Sequence, residues 1–150
     1  MKNKEHWMGR VKKLFTEQRL CVLATQDEMG PYTSLVGFVA SEDIHCLYFA
    51  TTKQTAKFKN LSEHSRVSVL VDDRKNQEAD FGDSIAVTAL GLAKPVKTED
   101  CEQHKSRYLR KHPYLQSFIE APSCQLVEVE IEKYFVVSRF QSVVELRMKK

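Results

Sequence analysis

Apolar runs of strand length follow one another through the first half of the chain with only turn-sized gaps, and this spacing restricts the fold more than any other feature. Leu20–Thr25 is almost wholly apolar and suits a strand buried on both faces. Asp27–Pro31 (DEMGP) is turn chemistry, Tyr32–Ala40 reads as a second strand, Ser41–Asp43 as a turn, and Ile44–Thr51 as a third strand. Parallel neighbours need a crossover of about a dozen residues or more. These gaps are too short, so the early strands must be antiparallel.

The other elements follow from periodicity. Lys4–Gln18 carries Trp7, Val11, Leu14 and Phe15 at i, i+4, i+7 and i+8, the stripe of an amphipathic helix. Arg66–Asp72 alternates Val67, Val69 and Val71 against polar neighbours, as a half-buried strand does. Asp73–Asp83 is a polar surface loop, and Ser84–Lys94 a fifth strand that Pro95 helps to stop. Thr98 caps a helix with acids near its start and Lys105, Arg107, Arg110 and Lys111 toward its end, the order that the helix dipole favours. His112–Pro113 closes it. Gln125–Ile131 alternates again, and Tyr134–Arg139 and Ser142–Met148 add one or two more strands. The order predicts a single, mainly β domain over residues 1–150, an antiparallel barrel with helices outside it.

Charge and cysteine usage narrow the function classes. The net charge of +3 is mild and its cations are spread among acids, which argues against a dedicated nucleic-acid binder. No apolar run approaches membrane-spanning length, and MKNKEHW lacks the apolar region of a signal peptide, so the expected location is cytoplasmic. Cys21, Cys46, Cys101 and Cys124 show no CxxC spacing, and reduced thiols are expected. Cys101 and His104 lie three apart on the predicted helix, but no second pair completes a tetrahedral site, so no metal is expected.

The chemistry-bearing stretch is Leu47–Leu61, LYFATTKQTAKFKNL. A strand end runs into Thr51 or Thr52 as an N-cap and then a short helix over Lys53–Leu61. Lys53 and Lys57, four apart, would share one face of it. A helix start offers unpaired N–H groups and a positive dipole end, so hydroxyls and ammonium groups added there suit a phosphate. A solvated helix that happens to bear lysines fits the same residues.

VLATQDEMGPYTSLVGF, LYFATTKQTAKFKNL, SRVSVLV and ALGLAKPV, in this order and spacing, resemble the pyridoxamine 5'-phosphate oxidase-like group of FMN-binding split-barrel proteins. The resemblance runs continuously over residues 20–112 and more loosely beyond. It implies a six- or seven-stranded Greek-key split barrel with two or three flanking helices, which forms a homodimer with FMN in the cleft between subunits.

Residue by residue, the resemblance matches Phe49, Ala50 and Thr51 to the strand end of the family's cofactor site, with Thr52 beside them, and Thr55, Ala56 and Lys57 to the triplet that meets the flavin phosphate. Ala56 stands where the oxidase has an arginine, and Lys53 would compensate for it. Ser34, Leu35 and Val36 fall on the strand that contacts the flavin ring in the family, where backbone N–H groups need no particular side chain. Both charges that the oxidase carries on that strand are gone, with Val39 in place of its lysine. Tyr108 and His112 match the oxidase's substrate-phosphate sequence, but His112 replaces the clamping arginine, and it is equally a helix C-terminal residue that suits the dipole. Arg139 matches a late arginine that reaches a partner's flavin. The implied function is an FMN-dependent oxidoreductase acting on a small molecule other than pyridoxamine phosphate. The alternative is a non-catalytic holder of flavin, haem or deazaflavin, for which His6, His45, His64, His104 and His112 supply axial-ligand candidates without a motif.

Overall fold

The computed structural model describes residues 2–139 and 142–149. The chain begins with α1 (Lys2–Glu17), which lays Val11, Leu14 and Phe15 into the core. Next come β1 (Leu20–Asp27) and β2 (Gly30–Ala40), an antiparallel hairpin turned by Glu28 and Met29. Asp27 accepts the Met29 N–H at 2.7 Å, and Gly30 takes a φ of 123°, which disfavours any side chain. β3 (Cys46–Thr52), α2 (Ala56–Glu63) and β4 (Arg66–Asp72) follow, then the one-turn α3 (Asp80–Asp83) and β5 (Ile85–Pro95). A 3-10 turn at Thr98–Asp100 leads into α4 (Cys101–Lys111), and another at Pro113–Leu115 leads into α5 (Gln116–Glu120). β6 (Cys124–Ser138) and β7 (Ser142–Arg147) end the order.

The sheet runs β3-β2-β1-β4-β5-β6-β7, every pairing antiparallel, and a further β3–β6 pairing closes the first six strands into a barrel. β7 adds to its outside edge. Inward positions alternate along each strand, with Val67, Val69 and Val71 on β4 and Val127, Val129 and Ile131 on β6 filling the main core. A second cluster lies under α4, where Val39, Tyr48, Ala50 and Leu126 meet Tyr108 and Ile119. No helix among the described residues is long and apolar enough to cross a membrane.

Two strand boundaries differ from the sequence expectation, each for a local reason. β3 starts at Cys46 rather than Ile44, because Ser41–His45 folds into a turn. The Asp43 carboxylate accepts from the Ser41 hydroxyl and the His45 N–H, which holds its pKa below the ordinary value. Ile44 takes a φ of 52°, costly for a β-branched residue, and its carbonyl accepts from the buried Tyr134 hydroxyl at 2.7 Å. The expected strands Gln125–Ile131 and Tyr134–Arg139 are one continuous β6, and Arg139 lies just beyond its end with a φ of 49°. The two or three flanking helices are α1, α2 and α4, with the short α3 and α5 added.

The bulge in the β5–β6 pairing falls between Leu90 and Gly91. A Cβ on Gly91 would collide with the Glu130 carbonyl oxygen, which belongs to backbone and cannot swing aside. Gly91→Ala should therefore cost about 1–3 kcal/mol, read as a lower urea midpoint. An unchanged midpoint would mean the strands part there without penalty.

Candidate cofactor cleft

β2 and β3 pair only over Phe38–Ala40 and Leu47–Phe49. Continued in register, Gly37 would meet Ala50, Val36 would meet Thr51 and Leu35 would meet Thr52, but the strands separate there. That opening is the barrel's split. It forms a cavity of about 420 Å³ lined by Leu35, Val36 and Gly37 on one side and Ala50, Thr51 and Thr52 on the other. Each strand is still paired on its far side, β2 with β1 and β3 with β6. Alternate backbone N–H and C=O groups facing the opening thus lack a strand partner.

One end of the opening meets the start of α2. Thr55 is the N-cap, its hydroxyl accepting from the Phe58 N–H at 3.3 Å and donating to the Thr52 carbonyl at 2.9 Å. The Thr51 hydroxyl lies 3.0 Å from that of Thr55 and is buried. These hydroxyls hold the strand-to-helix corner together. The Ala56 and Lys57 N–H groups, in the first turn, have no intrahelical acceptor, and the Lys57 side chain lines the cavity. Two amides, a helix N-terminus and one ammonium make this the anion-seeking end.

α4 covers the other side. Tyr108 donates its hydroxyl to the Gly37 carbonyl at 3.2 Å, and the His112 Nε2–H donates to the Phe38 carbonyl at 2.8 Å. A Cβ on Gly37 would lie 3.1 Å from the Tyr108 oxygen, so this glycine permits the close approach. His112 is 1% exposed, and burial lowers its pKa below the ordinary histidine value, with the nearby cations Lys111 and Arg19 adding to the effect. Burial likewise pushes the Tyr108 phenol well up.

The structure thus brings together Leu35, Val36, Ala50, Thr51, Thr52, Thr55, Lys57, Tyr108 and His112 around one cavity. Four expected site residues fall elsewhere. Phe49 is 2% exposed and packs inside the barrel. The Ser34 hydroxyl is buried without a hydrogen-bond partner and does not line the cavity. Lys53 is exposed in the turn before α2, because Thr55 and not Thr51 or Thr52 caps the helix, so Lys53 shares no helix face with Lys57. Arg139 borders a different cavity, with Trp7, Arg10 and Asp83. Val39 is buried beneath α4 and does not line this cavity, so it and His112 are not two sides of one clamp.

Five lining residues escaped the sequence reading: Leu20, Gly37, Tyr114, Leu115 and Phe118. Tyr114, Leu115, Phe118 and Ile119, at i, i+1, i+4 and i+5 after Pro113, have a helical spacing, but it is confined to the 3-10 turn and the short α5. Of the histidines, only His112 lines the cavity; His104 stacks on Tyr48 at 4.3 Å, and His45 contacts the Lys149 carbonyl. The Cys101 thiol is directed at the Val96 carbonyl.

The family model for pyridoxamine 5'-phosphate oxidase matches residues 8–138. No curated protein matches the sequence. Among solved structures, the chain is similar to a heme binding protein from Mycobacterium smegmatis, with a TM-score of 0.80 and 14% identity, over 91% of this chain and 55% of that one. The chain therefore spans little more than half that protein's length. General Stress Protein 26 from Bacillus anthracis aligns at a TM-score of 0.73 and 20% identity, over 95% of this chain and 99% of that one. A FAD-binding protein from Mesorhizobium loti aligns at 0.68 and 17%, over 85% and 91% respectively. At such identities these structures share the fold.

Neutral, buried His112 ties stability to pH. Its folded pKa is depressed below 6.5, so its contribution is complete above that value and is lost as pH falls through the folded pKa. Urea unfolding at pH 7.5 and 5.5 should show a loss at the lower pH. His112→Gln, though less stable throughout, should show a smaller difference between the two. An equal difference would place the titration elsewhere.

Proposed function

The chain belongs to the pyridoxamine 5'-phosphate oxidase family, and from that premise we propose that it binds FMN and acts as an FMN-dependent oxidoreductase on a small molecule. The observation that carries the reading is the split between β2 and β3, with open backbone edges along its length and Lys57 beside two free helix amides at one end. A ring system needs edge donors and flat apolar walls, and a terminal phosphate needs the anion-seeking end. The cavity has both, and its volume lies in the range of small-molecule sites. Flavin supplies hydride and electron transfer from its own ring system, so an oxidoreductase of this kind needs no acid–base or nucleophilic residue of its own. The chain's part is to bind, to orient the ring and to keep water out.

Flavin is favoured over haem because His112 commits Nε2 to the Phe38 carbonyl and is buried neutral. Freshly purified protein should show a flavin spectrum; a Soret band would overturn this preference. Lys57→Ala removes a charge-assisted contact worth about 1.5–3 kcal/mol, so FMN affinity should fall roughly tenfold to a hundredfold while riboflavin affinity barely changes. Lys53→Ala should leave both unchanged. Equal losses for FMN and riboflavin in Lys57→Ala would remove Lys57 from the phosphate.

The homodimer belongs to the same reading. Leu20, Leu35, Tyr114 and Phe118 stand at the cavity's rim with exposures of 54%, 65%, 68% and 37%. A second copy of the chain seated there would remove that apolar surface from water and close the cleft. Sedimentation equilibrium at micromolar protein should return twice the chain mass. A stable monomer that binds FMN tightly would contradict the shared cleft.

We do not extend the reading to the vitamin oxidase reaction. A second phosphate needs its own cations, yet His112 is neutral and hydrogen-bonded to backbone and Val39 is buried under α4. Turnover of pyridoxamine phosphate, followed as pyridoxal phosphate formation with FMN bound, should be negligible. Robust turnover would sink this exclusion.

A further inference from the structure

A second cavity, of about 520 Å³, lies between α1, α4 and the β2–β3 turn, and it shares no lining residue with the cleft. Residues 107, 110 and 111 of α4 face it, whereas Tyr108 of the same helix and His112, its C-cap, face the cleft. Lys12 of α1 joins Arg107, Arg110 and Lys111 around this space, opposed by one carboxylate, that of Glu42. Among the described residues none of these four cations forms an ion pair. Cations at i, i+3 and i+4 on one helix face repel one another. The floor is apolar, formed by Phe15, Val39 and Ile44, all buried.

We propose that this cavity is a ligand site for a small organic anion, one that sets a phosphate or carboxylate group against Arg107, Arg110 and Lys111 and an apolar body against Phe15 and Val39. Two independent features of the cavity wall point to a missing partner. The Arg107 Nε is buried and has no hydrogen-bond acceptor, although a guanidinium fork suits an anion's paired oxygens. The Lys111 ammonium donates to the Phe15 carbonyl at 2.7 Å and sits 3.9 Å from the centre of the Phe38 ring, with no anion beside it. Burial lowers its pKa to about 8, the Arg19 charge adding to that and the Cys21 thiol opposing it. An anion in the cavity would relieve both conditions and the repulsion along α4. The site stands on its own residues and does not depend on what occupies the cleft.

The test is a titration of the 15N-labelled protein with phenyl phosphate and, separately, with benzoate, in chloride buffer. Saturable amide shifts at Ser41, Glu42, Arg107 and Arg110 are expected, with the same shifts in Lys57→Ala. The stronger of the two ligands identifies the headgroup. Lys12 and Arg110 are exposed, so the double variant Lys12→Gln/Arg110→Gln should keep the fold and bind at least about fivefold more weakly. Arg107→Gln, checked by its melting curve, should bind more weakly still. Shifts confined to residues 55–58, or affinity unchanged in the double variant, would overturn the proposal, as would the absence of saturable shifts with both ligands.

Discussion

The pairing of β3 with β6 is the constraint from which the rest of the molecule follows. Seven residues of β3, Cys46 to Thr52, run opposite Glu130 to Cys124, which joins the third strand to the sixth across a long sequence separation. β6 can do this because it is 15 residues long: its first half pairs with β3 while its second pairs with β7, and β5 runs along both. Closure removes the sheet edges that would otherwise be exposed. It also pulls β3 away from β2 beyond Phe49, since β3 follows β6 to its end while β2 stays with β1. The split is the geometric consequence of one strand obeying two neighbours that diverge.

α4 fits over this divergence, and β2 makes room for it. Gly37 is the position at which the strand's outer face must be bare, so that the Tyr108 hydroxyl can reach the Gly37 carbonyl and His112 the carbonyl of Phe38. Those two bonds satisfy backbone acceptors at the place where strand pairing stops supplying partners. Lys111 extends the same logic to α1, donating to the Phe15 carbonyl near that helix's C-terminus. The helix is thereby fixed to the barrel and to α1 by polar contacts as well as by the apolar cluster beneath it.

Much of this was legible in the sequence, and what was not has a physical reason. Alternation in Arg66–Asp72 and the short gaps after Leu20 determine strand type and antiparallel order, because periodicity and turn length are local properties. The corner at Thr55 lies up to four residues later than the sequence predicts. Thr51, Thr52 and Thr55 are all acceptable caps on propensity alone, and only β3's pairing with β6 as far as Thr52 decides among them. That shift is what separates Lys53 from Lys57. The break at Glu132 in β6 looked like a strand boundary, because a bulge interrupts alternation in the same way as a turn. The cleft's far wall was missed because α5 is only five residues long, too short for a periodicity window to register.

Lengthwise division of α4 explains why its sequence looked ambiguous. A helix docked on one side shows one apolar stripe, but α4 is rich in charge and buries Tyr108, with His112 buried at its C-cap. Tyr108 and His112, at i and i+4, form the stripe that faces β2 and the split, and Arg107 and Lys111, also at i and i+4, form the adjacent stripe that faces α1 and the β2–β3 turn. Read as a single amphipathic helix, its cations are a solvated face arranged to suit the dipole. Placed in the fold, two of them are turned partly inward, toward a wall that has apolar carbon and almost no acid. A dipole argument accounts for cations near the helix end but not for a buried Arg107 Nε without an acceptor, because a desolvated donor left unpaired carries its own cost.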